Sequence, residues 1–303
     1  MNLATLPDCR AGTAPRAAAL ADDNTDLNNI GFLTAVRRAT TSLRAAGVSM
    51  GDVVSVMLPN TAALVVSLFA TWRLGASAAP IDPALSVEDA GHQMAYTGAK
   101  VLIAGQDPAY AFPVQTVIPA DRLTTAQPDT RGPAQARDEA PALLVYDGNA
   151  DSDPKFVTLD HLNLEALCRL AIRIFTLTGT DHSLSILPLF HVNGIAVGTV
   201  SPLLAGGRTT VAGPFSPTTF FDRIECSRAT YFTADPAIYR QLSDLPAEIQ
   251  PDTASVRFAI CGAAPAGVEL RTKFEHRYGI PIIHDHGLTE VPGRARSIRR
   301  AAP

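Results

Sequence analysis

Apolar residues in this chain follow two alternating patterns. Short continuous apolar runs suit strands buried on both faces, and longer stretches with three- to four-residue spacing suit amphipathic helices. Leu33, Val36 and Leu43 mark the inner face of a first helix, which Gly47 ends. Residues 53–58 read as the next strand, and Asn60 as the cap of a helix that stops near Gly75. Ser86 with Asp89 is a capping-box pattern ahead of a helix and the strand 100–104. Residues 106–140 are rich in Pro, Gln, Asp and Ala, and read as a surface connection with one strand at 114–118.

Alternation then resumes. A strand at 142–146 precedes a helix opened by Asp160 and running to Phe175. Strands follow at 184–187, 209–212, 230–233, 256–260 and 281–284. The helices between them cover 193–205, a segment capped by Ser216-Pro217, one begun by Asp235-Pro236, and 267–278. This order predicts an α/β protein with mostly parallel sheets flanked by helices. Ligands in such folds sit beyond the carboxyl ends of strands, so the loops after strands are the candidate sites.

Composition narrows the function classes. With 303 residues, 47% hydrophobic and 18% charged, the chain can build a large core divided into one to three subdomains. A net charge of -4 with no basic stripe through the body argues against a nucleic-acid partner. Cys9, Cys168, Cys226 and Cys261 are scattered without CxxC or metal spacing, which reads as reduced thiols in a cytoplasmic protein. The start lacks a positive segment followed by an apolar run, so no signal peptide is expected. The most apolar stretch, 62–72, is too short to span a bilayer and reads as a buried helix.

Three strand-end loops carry candidate chemistry: Leu187-Pro-Leu-Phe-His-Val-Asn-Gly194, Cys261-Gly-Ala-Ala-Pro265 and His286-Gly-Leu-Thr-Glu290. Taken singly, each has a plain structural reading: a histidine satisfied in a core, a strand-to-helix turn, and a solvated Thr-Glu pair opening a helix. In this order they resemble the loops of AMP-forming acyl-CoA synthetases, in the adenylate-forming superfamily that also holds luciferases and peptide-synthetase adenylation domains. Gly51-Asp52-Val53-Val54, Leu58-Pro59-Asn60 and the stretch from Gly75-Ala76 to Pro80-Ile81-Asp82-Pro83 extend the resemblance upstream. It covers residues 30–290, as an incomplete large domain between an N-terminal tail, 1–29, and an unstructured arginine-rich tail, 291–303.

The resemblance implies a two-step reaction. A carboxylate attacks the α-phosphate of ATP to give an acyl-adenylate and pyrophosphate, and the thiol of coenzyme A then displaces AMP. The partner is therefore a small carboxylic acid or its acyl-adenylate. Gly262, Ala263, Ala264 and Pro265 would lie along the adenine ring, where small residues allow close approach. His286 stands where the family usually places a stacking aromatic, and Gly287 follows it. Thr289 would donate to a phosphate oxygen, and Glu290 would hold Mg²⁺. His191 would lie near the carboxylate being activated, with Val197, Thr199 and Phe232 lining the acyl pocket.

Two departures from the family pattern stand out. Where the family carries a Gly/Ser/Thr-rich phosphate loop, this chain reads Tyr146-Asp-Gly-Asn-Ala-Asp-Ser-Asp-Pro-Lys-Phe156. Lys155 remains, but Asp147, Asp151 and Asp153 bring carboxylates to a place that needs uncharged donors. After Glu290, the ribose-binding aspartate, the hinge and the small C-terminal domain that the resemblance implies do not follow, which reads as a truncated frame. Self-association through surface left uncovered is then expected. Three readings stay open: an adenylating ligase completed by a second polypeptide, a non-catalytic acyl- or adenylate-binding remnant, and a regulatory module built on that remnant.

Overall fold

Strand and helix alternate as the apolar spacing predicts, and the strands gather into two mostly parallel sheets. The computed structural model describes residues 2–105, 112–147, 155–262 and 266–284, with their side chains except those of Asp147 and Lys155. A 3₁₀ turn, Leu3–Thr5, and α1, Leu6–Thr13, lead into β1, Ala18–Ala21, and β2, Asp26–Asn28. Next come α2, Asn29–Ala45, β3, Val53–Met57, α3, Ala62–Arg73, β4, Ser77–Pro80, and α4, Val87–Thr97. They are followed by β5, Val101–Ala104, β6, Thr116–Pro119, the short α5, Ala120–Leu123, β7, Pro141–Asp147, and β8, Lys155–Asp160. The six-stranded sheet runs β6-β5-β3-β4-β7-β8 and is parallel except for the β7/β8 hairpin.

The second half supplies the larger sheet. Helix α6, His161–Phe175, precedes β9, His182–Ser185. A continuous helical run then divides into α7, Val192–Ile195, a π-helical segment, Ala196–Val200, and α8, Ser201–Leu204. After it come β10, Arg208–Val211, α9, Phe220–Ser227, β11, Tyr231–Ala234, α10, Pro236–Ser243, β12, Phe258–Cys261, α11, Val268–Tyr278, and β13, Ile282–His284. The seven-stranded order is β13-β12-β11-β9-β10-β1-β2, parallel except between β1 and β2.

Both sheets are covered on two faces, so interior strands such as β5 and β12 are apolar and buried throughout. On the smaller sheet, Val54, Val56, Val101 and Ile103 face the core of α2 and α3, while Leu102 and Ala104 face Ala90 and Met94 of α4. Helix α3 is buried nearly all round, from Ala62 to Arg73, as its unbroken apolar sequence requires. On the larger sheet, Phe232 and Ala259 pack under α9, α10 and α11, whereas Tyr231 and Ile260 pack on the opposite face with Phe175 of α6.

Four sequence expectations are corrected. Residues 1–29 are not a separate tail: Leu3, Leu6 and Leu20 are buried, and β1 pairs with β10. Buried Arg10 ties this segment to the body, donating to the carbonyls of Leu203 and Gly207 and to Asn29 Oδ1. Alanine-rich elements this short gain burial only from distant partners, which local periodicity does not reveal. In α2 the inner face holds Phe32, with Leu33 turned partly outward. Helix α3 is capped not by Asn60 but by Asp22, whose Oδ2 accepts from Ala62 N–H at 2.8 Å. Ser216 does not cap α9, because the helix begins at Phe220 and the Ser216 hydroxyl pairs with that of Thr218 at 2.9 Å.

His182 opens central strand β9, 5% exposed, its Nε2 at 2.8 Å from Thr210 Oγ1. Burial, with Arg208 adding, pushes its imidazole down to about 4. Beside it, burial opposes ionisation of Asp181, but hydrogen bonds from Thr178, Arg257 and Thr230 outweigh this and hold the carboxyl low. A histidine with a lowered folded pKa binds its proton more readily in the unfolded chain. Stability is therefore lost as pH falls from the unfolded histidine range toward about 4. Urea titrations at stepped pH should show a fall approaching about 1.4 kcal/mol per pH unit in that window. A flatter profile is expected for His182→Gln, and an unchanged one would rule out His182 as the cause.

Candidate active site at the carboxyl edge of the larger sheet

Parallel pairing aligns Ser185, Thr233, Ile260 and Ile283 side by side near the ends of β9, β11, β12 and β13. The candidate loops after β9, β12 and β13 therefore leave the sheet along one edge. The first is fixed from outside: Asn60 Nδ2 donates to Leu187 O at 2.8 Å, and Leu189 N–H donates to Asn60 Oδ1 at 2.9 Å. Asn60 thus brackets the loop as a neighbouring strand would. The loop then turns sharply into α7, and a Cβ on Gly194 would lie 2.5 Å from Pro188 O, so only glycine fits there.

This turn sets out His191 and Asn193 differently. His191 is the exposed residue at the N-terminus of α7, its ring 4.5 Å from that of Phe190, its N–H bonded to Pro188 O at 3.2 Å. It is not a buried core histidine. Asn193 points toward the end of β12, where a Cβ added to Gly262 would lie 2.5 Å from Asn193 Nδ2. A larger residue at Gly262 would therefore have to push the Asn193 amide aside. Asn193 Oδ1 is buried without a hydrogen-bond partner among the described residues, as are Ser185 Oγ and Thr233 Oγ1. Orphaned buried polar atoms along a strand-end edge fit a site that takes a polar ligand. Burial pushes the Cys261 thiol up, which favours its protonated form.

The expected acyl lining does not hold together. Val197 packs with Tyr231 and Ile260 on one face of the sheet, while Phe232 lies on the other with Phe220 and Phe274. Alternate residues of a strand point to opposite faces, so Val197 and Phe232 cannot line one pocket. The Thr199 hydroxyl donates to Gly194 O at 3.0 Å and stabilises the π-helical segment. Asn60, Ser185 and Thr233 were not singled out as site residues. Leu58-Pro59-Asn60 lies far from the loop in sequence, and a serine and a threonine inside apolar strands carry no local signal.

Ala263, Ala264, Pro265, His286, Gly287, Thr289 and Glu290 lie outside the described residues, as do Asp151 and Asp153. Asp147 and Lys155 are placed by their backbones, facing each other as the last pair of the β7/β8 hairpin. Beside them Tyr146 meets Phe156 edge-on at 5.3 Å, and Phe156 stacks on Tyr96 at 4.7 Å. Among the described residues, no group of His, Cys, Asp and Glu could hold a metal ion, and none of the helices is long and apolar enough to cross a membrane.

The family model for AMP-binding enzymes matches residues 8–301. A feruloyl-CoA synthase from an Amycolatopsis species is 30% identical over 96% of this chain and 60% of its own length. An oxalate–CoA ligase from Arabidopsis thaliana is 31% identical over 84% of this chain and 54% of its own. A fatty acyl CoA synthetase from Mycobacterium tuberculosis has the same fold, with a TM-score of 0.88 at 23% identity over 98% of this chain and 61% of that one. ATP-bound MatB from Rhodopseudomonas palustris superposes with a TM-score of 0.86 at 20% identity, over 96% of this chain and 61% of that one. The chain thus spans about 60% of the length of the first of these relatives.

The Gly262–Asn193 contact can be tested by a double-mutant cycle. Gly262→Ala should destabilise the chain by about 1–3 kcal/mol, the usual cost of overpacking. Removing the opposing amide in Asn193→Ala/Gly262→Ala should restore most of that loss, read from urea unfolding midpoints. Additive losses would mean that the two residues do not press on each other.

Proposed function

This chain belongs to the AMP-binding enzyme family, and from that premise we propose that it binds a carboxylic acid and the adenylate half of ATP at the carboxyl edge of the larger sheet. The observation that carries this reading is the Asn60-bracketed loop, which brings Asn193 to the end of β12 at Gly262 and exposes His191 two residues before it. The relatives are CoA ligases, which supports ligase-like chemistry here. An oxygen of the acid bonds to the α-phosphorus while the bond to pyrophosphate breaks. The sulfur of coenzyme A then bonds to the acyl carbon, and AMP leaves.

Each residue has a role in this reading. His191 lies by the reacting carboxylate in this reading, as an exposed residue at the N-terminus of α7. Gly262 and the Ala263-Ala264-Pro265 strip flank adenine, with His286-Gly287 on the other ring face. Thr289 donates to phosphate. Glu290 is the one residue assigned to Mg²⁺, which would offset phosphate charge when bound. A cytoplasmic setting suits dependence on ATP and coenzyme A.

ATP use is weak in this reading. Asp147, Asp151 and Asp153 stand where the polyphosphate would lie, with Lys155 alone opposing them. Two unit charges 4 Å apart repel by roughly 4 kcal/mol at an effective dielectric of 20. Backbone and hydroxyl donors would bind phosphate without that repulsion. AMP and acyl-AMP, which lack the β- and γ-phosphates, escape most of it. A non-catalytic adenylate-binding protein is the second reading, favoured by the same acidic stretch.

Calorimetry should find AMP binding at least tenfold tighter than ATP with magnesium. Pyrophosphate exchange should be near background in the native chain and rise in Asp147→Thr/Asp151→Thr/Asp153→Thr. Native exchange that this substitution leaves unchanged would refute the acidic block. Failure to bind AMP or acyl-AMP would refute the adenylate site itself.

A further inference from the structure

We propose that Asn193 closes the acid-binding space over Gly262 and makes its end polar, so that the acid taken is short and carries a hydroxyl or amino group. This rests on the adenylating reading and names the substrate class of that same site. Gly262 leaves room beside the end of β12, and the Asn193 amide fills it, with Nδ2 at 2.5 Å from where a Cβ would stand. A long alkyl chain would have to displace that amide or pass it.

The polarity of the space has three sources. Asn193 Oδ1, Ser185 Oγ and Thr233 Oγ1 are all buried, and none has a partner among the described residues. Ser185 and Thr233 are neighbours in register on adjacent parallel strands, so their side chains leave the same face of the sheet, and each is 2% exposed. The π-helical segment comes down onto that face at Gly198, where a Cβ would lie 2.7 Å from Ser185 Oγ. Nearby hydroxyls with a structural task are bonded: Thr199 to Gly194 O, Ser201 to Ala196 O and Thr209 to Gly198 O. The orphaned carbonyl oxygen of Asn193 needs a donor, and the two hydroxyls can donate or accept. A hydroxyl or amino group near the far end of a short acid supplies that donor. An alkyl chain would leave all of these groups desolvated and unpaired. Sites built this way reject analogues lacking the polar group more strongly than apolar pockets discriminate by size.

The test is acid binding to the whole chain by calorimetry, with and without AMP, using 3-hydroxypropionate, propionate and octanoate as probes. The native chain should bind 3-hydroxypropionate at least tenfold tighter than propionate and octanoate. Asn193→Ala should gain octanoate binding at least tenfold and lose most of the hydroxyl preference. Thr233→Val, nearly isosteric and removing only an unpaired hydroxyl, should weaken that preference while leaving the unfolding midpoint little changed. A purely structural role for either residue would change stability without changing the order of the acids. Octanoate bound by the native chain as tightly as 3-hydroxypropionate, or no acid bound at all, would overturn the inference. AMP binding on the same samples is a separate readout. Its absence, with the acid order intact, would overturn the adenylating function and not the polar closure.

Discussion

One asparagine outside the larger sheet holds the geometry on which the site depends. Asn60 leaves the end of β3, in the smaller sheet, and clamps the loop that follows β9 in the larger one. A side-chain amide is suited to this because it offers a donor and an acceptor in one plane, and can satisfy a carbonyl and an N–H as a paired strand would. Each such bond is worth only about 1 kcal/mol net. The greater consequence is positional: without the clamp, the turn at Gly194 has no fixed origin, and neither His191 nor Asn193 has a fixed place relative to Gly262. The two sheets therefore contribute unequally. The larger supplies the edge, and the smaller registers the loop upon it.

How much of this was legible in the sequence depended on how local the cause was. Interior strands were clear because burial on both faces makes them continuously apolar, as in β3, β5 and β12. Three caps that accept from an N–H three residues on were legible, though Asn28, which caps α2 in the same way, was not. Ser86, Asp160 and Asp235 each accept from such an N–H. Long-range causes were not legible. The first helix and strands are held by pairing with β10 and by Arg10, whose carbonyl partners lie 193 and 197 residues away. Asn60 carries the residue type of a cap, and nothing local distinguishes a cap from a clamp.

The site shows the same division. The loops that carry His191 and Gly262 could be located, because a loop after a parallel strand must emerge at the carboxyl edge. Which side chains share a space could not be, because that depends on the π-helical segment. An extra residue in one turn shifts the helical register, and here it brings Gly198 onto Ser185 and turns Val197 toward Tyr231. Phe232 and Thr233 are adjacent in sequence, yet they belong to opposite faces, and only Thr233 is on the side of the π-helical segment. An apolar residue in a buried strand is thus a poor guide to a pocket. A polar one that finds no partner is the better guide, since desolvating it without a bond costs about 1–3 kcal/mol.

The proposed function puts the polyphosphate and the acid against different sheets, and that has a physical consequence. The acidic stretch follows β7 in a hairpin of the smaller sheet, where Asp147 faces Lys155 across the last pair. Ser185 and Thr233 lie on the larger sheet, side by side in register, and Asn193 meets that sheet at Gly262. Charges in water are screened within about 8–10 Å at ordinary ionic strength. In the proposed reading the repulsion of Asp147, Asp151 and Asp153 falls first on the β- and γ-phosphates. Charge can accumulate at one half of such a site without disturbing the packing of the other. On the proposed reading, that arrangement lets a chain of this family keep an acid-binding site beside an acidic phosphate loop.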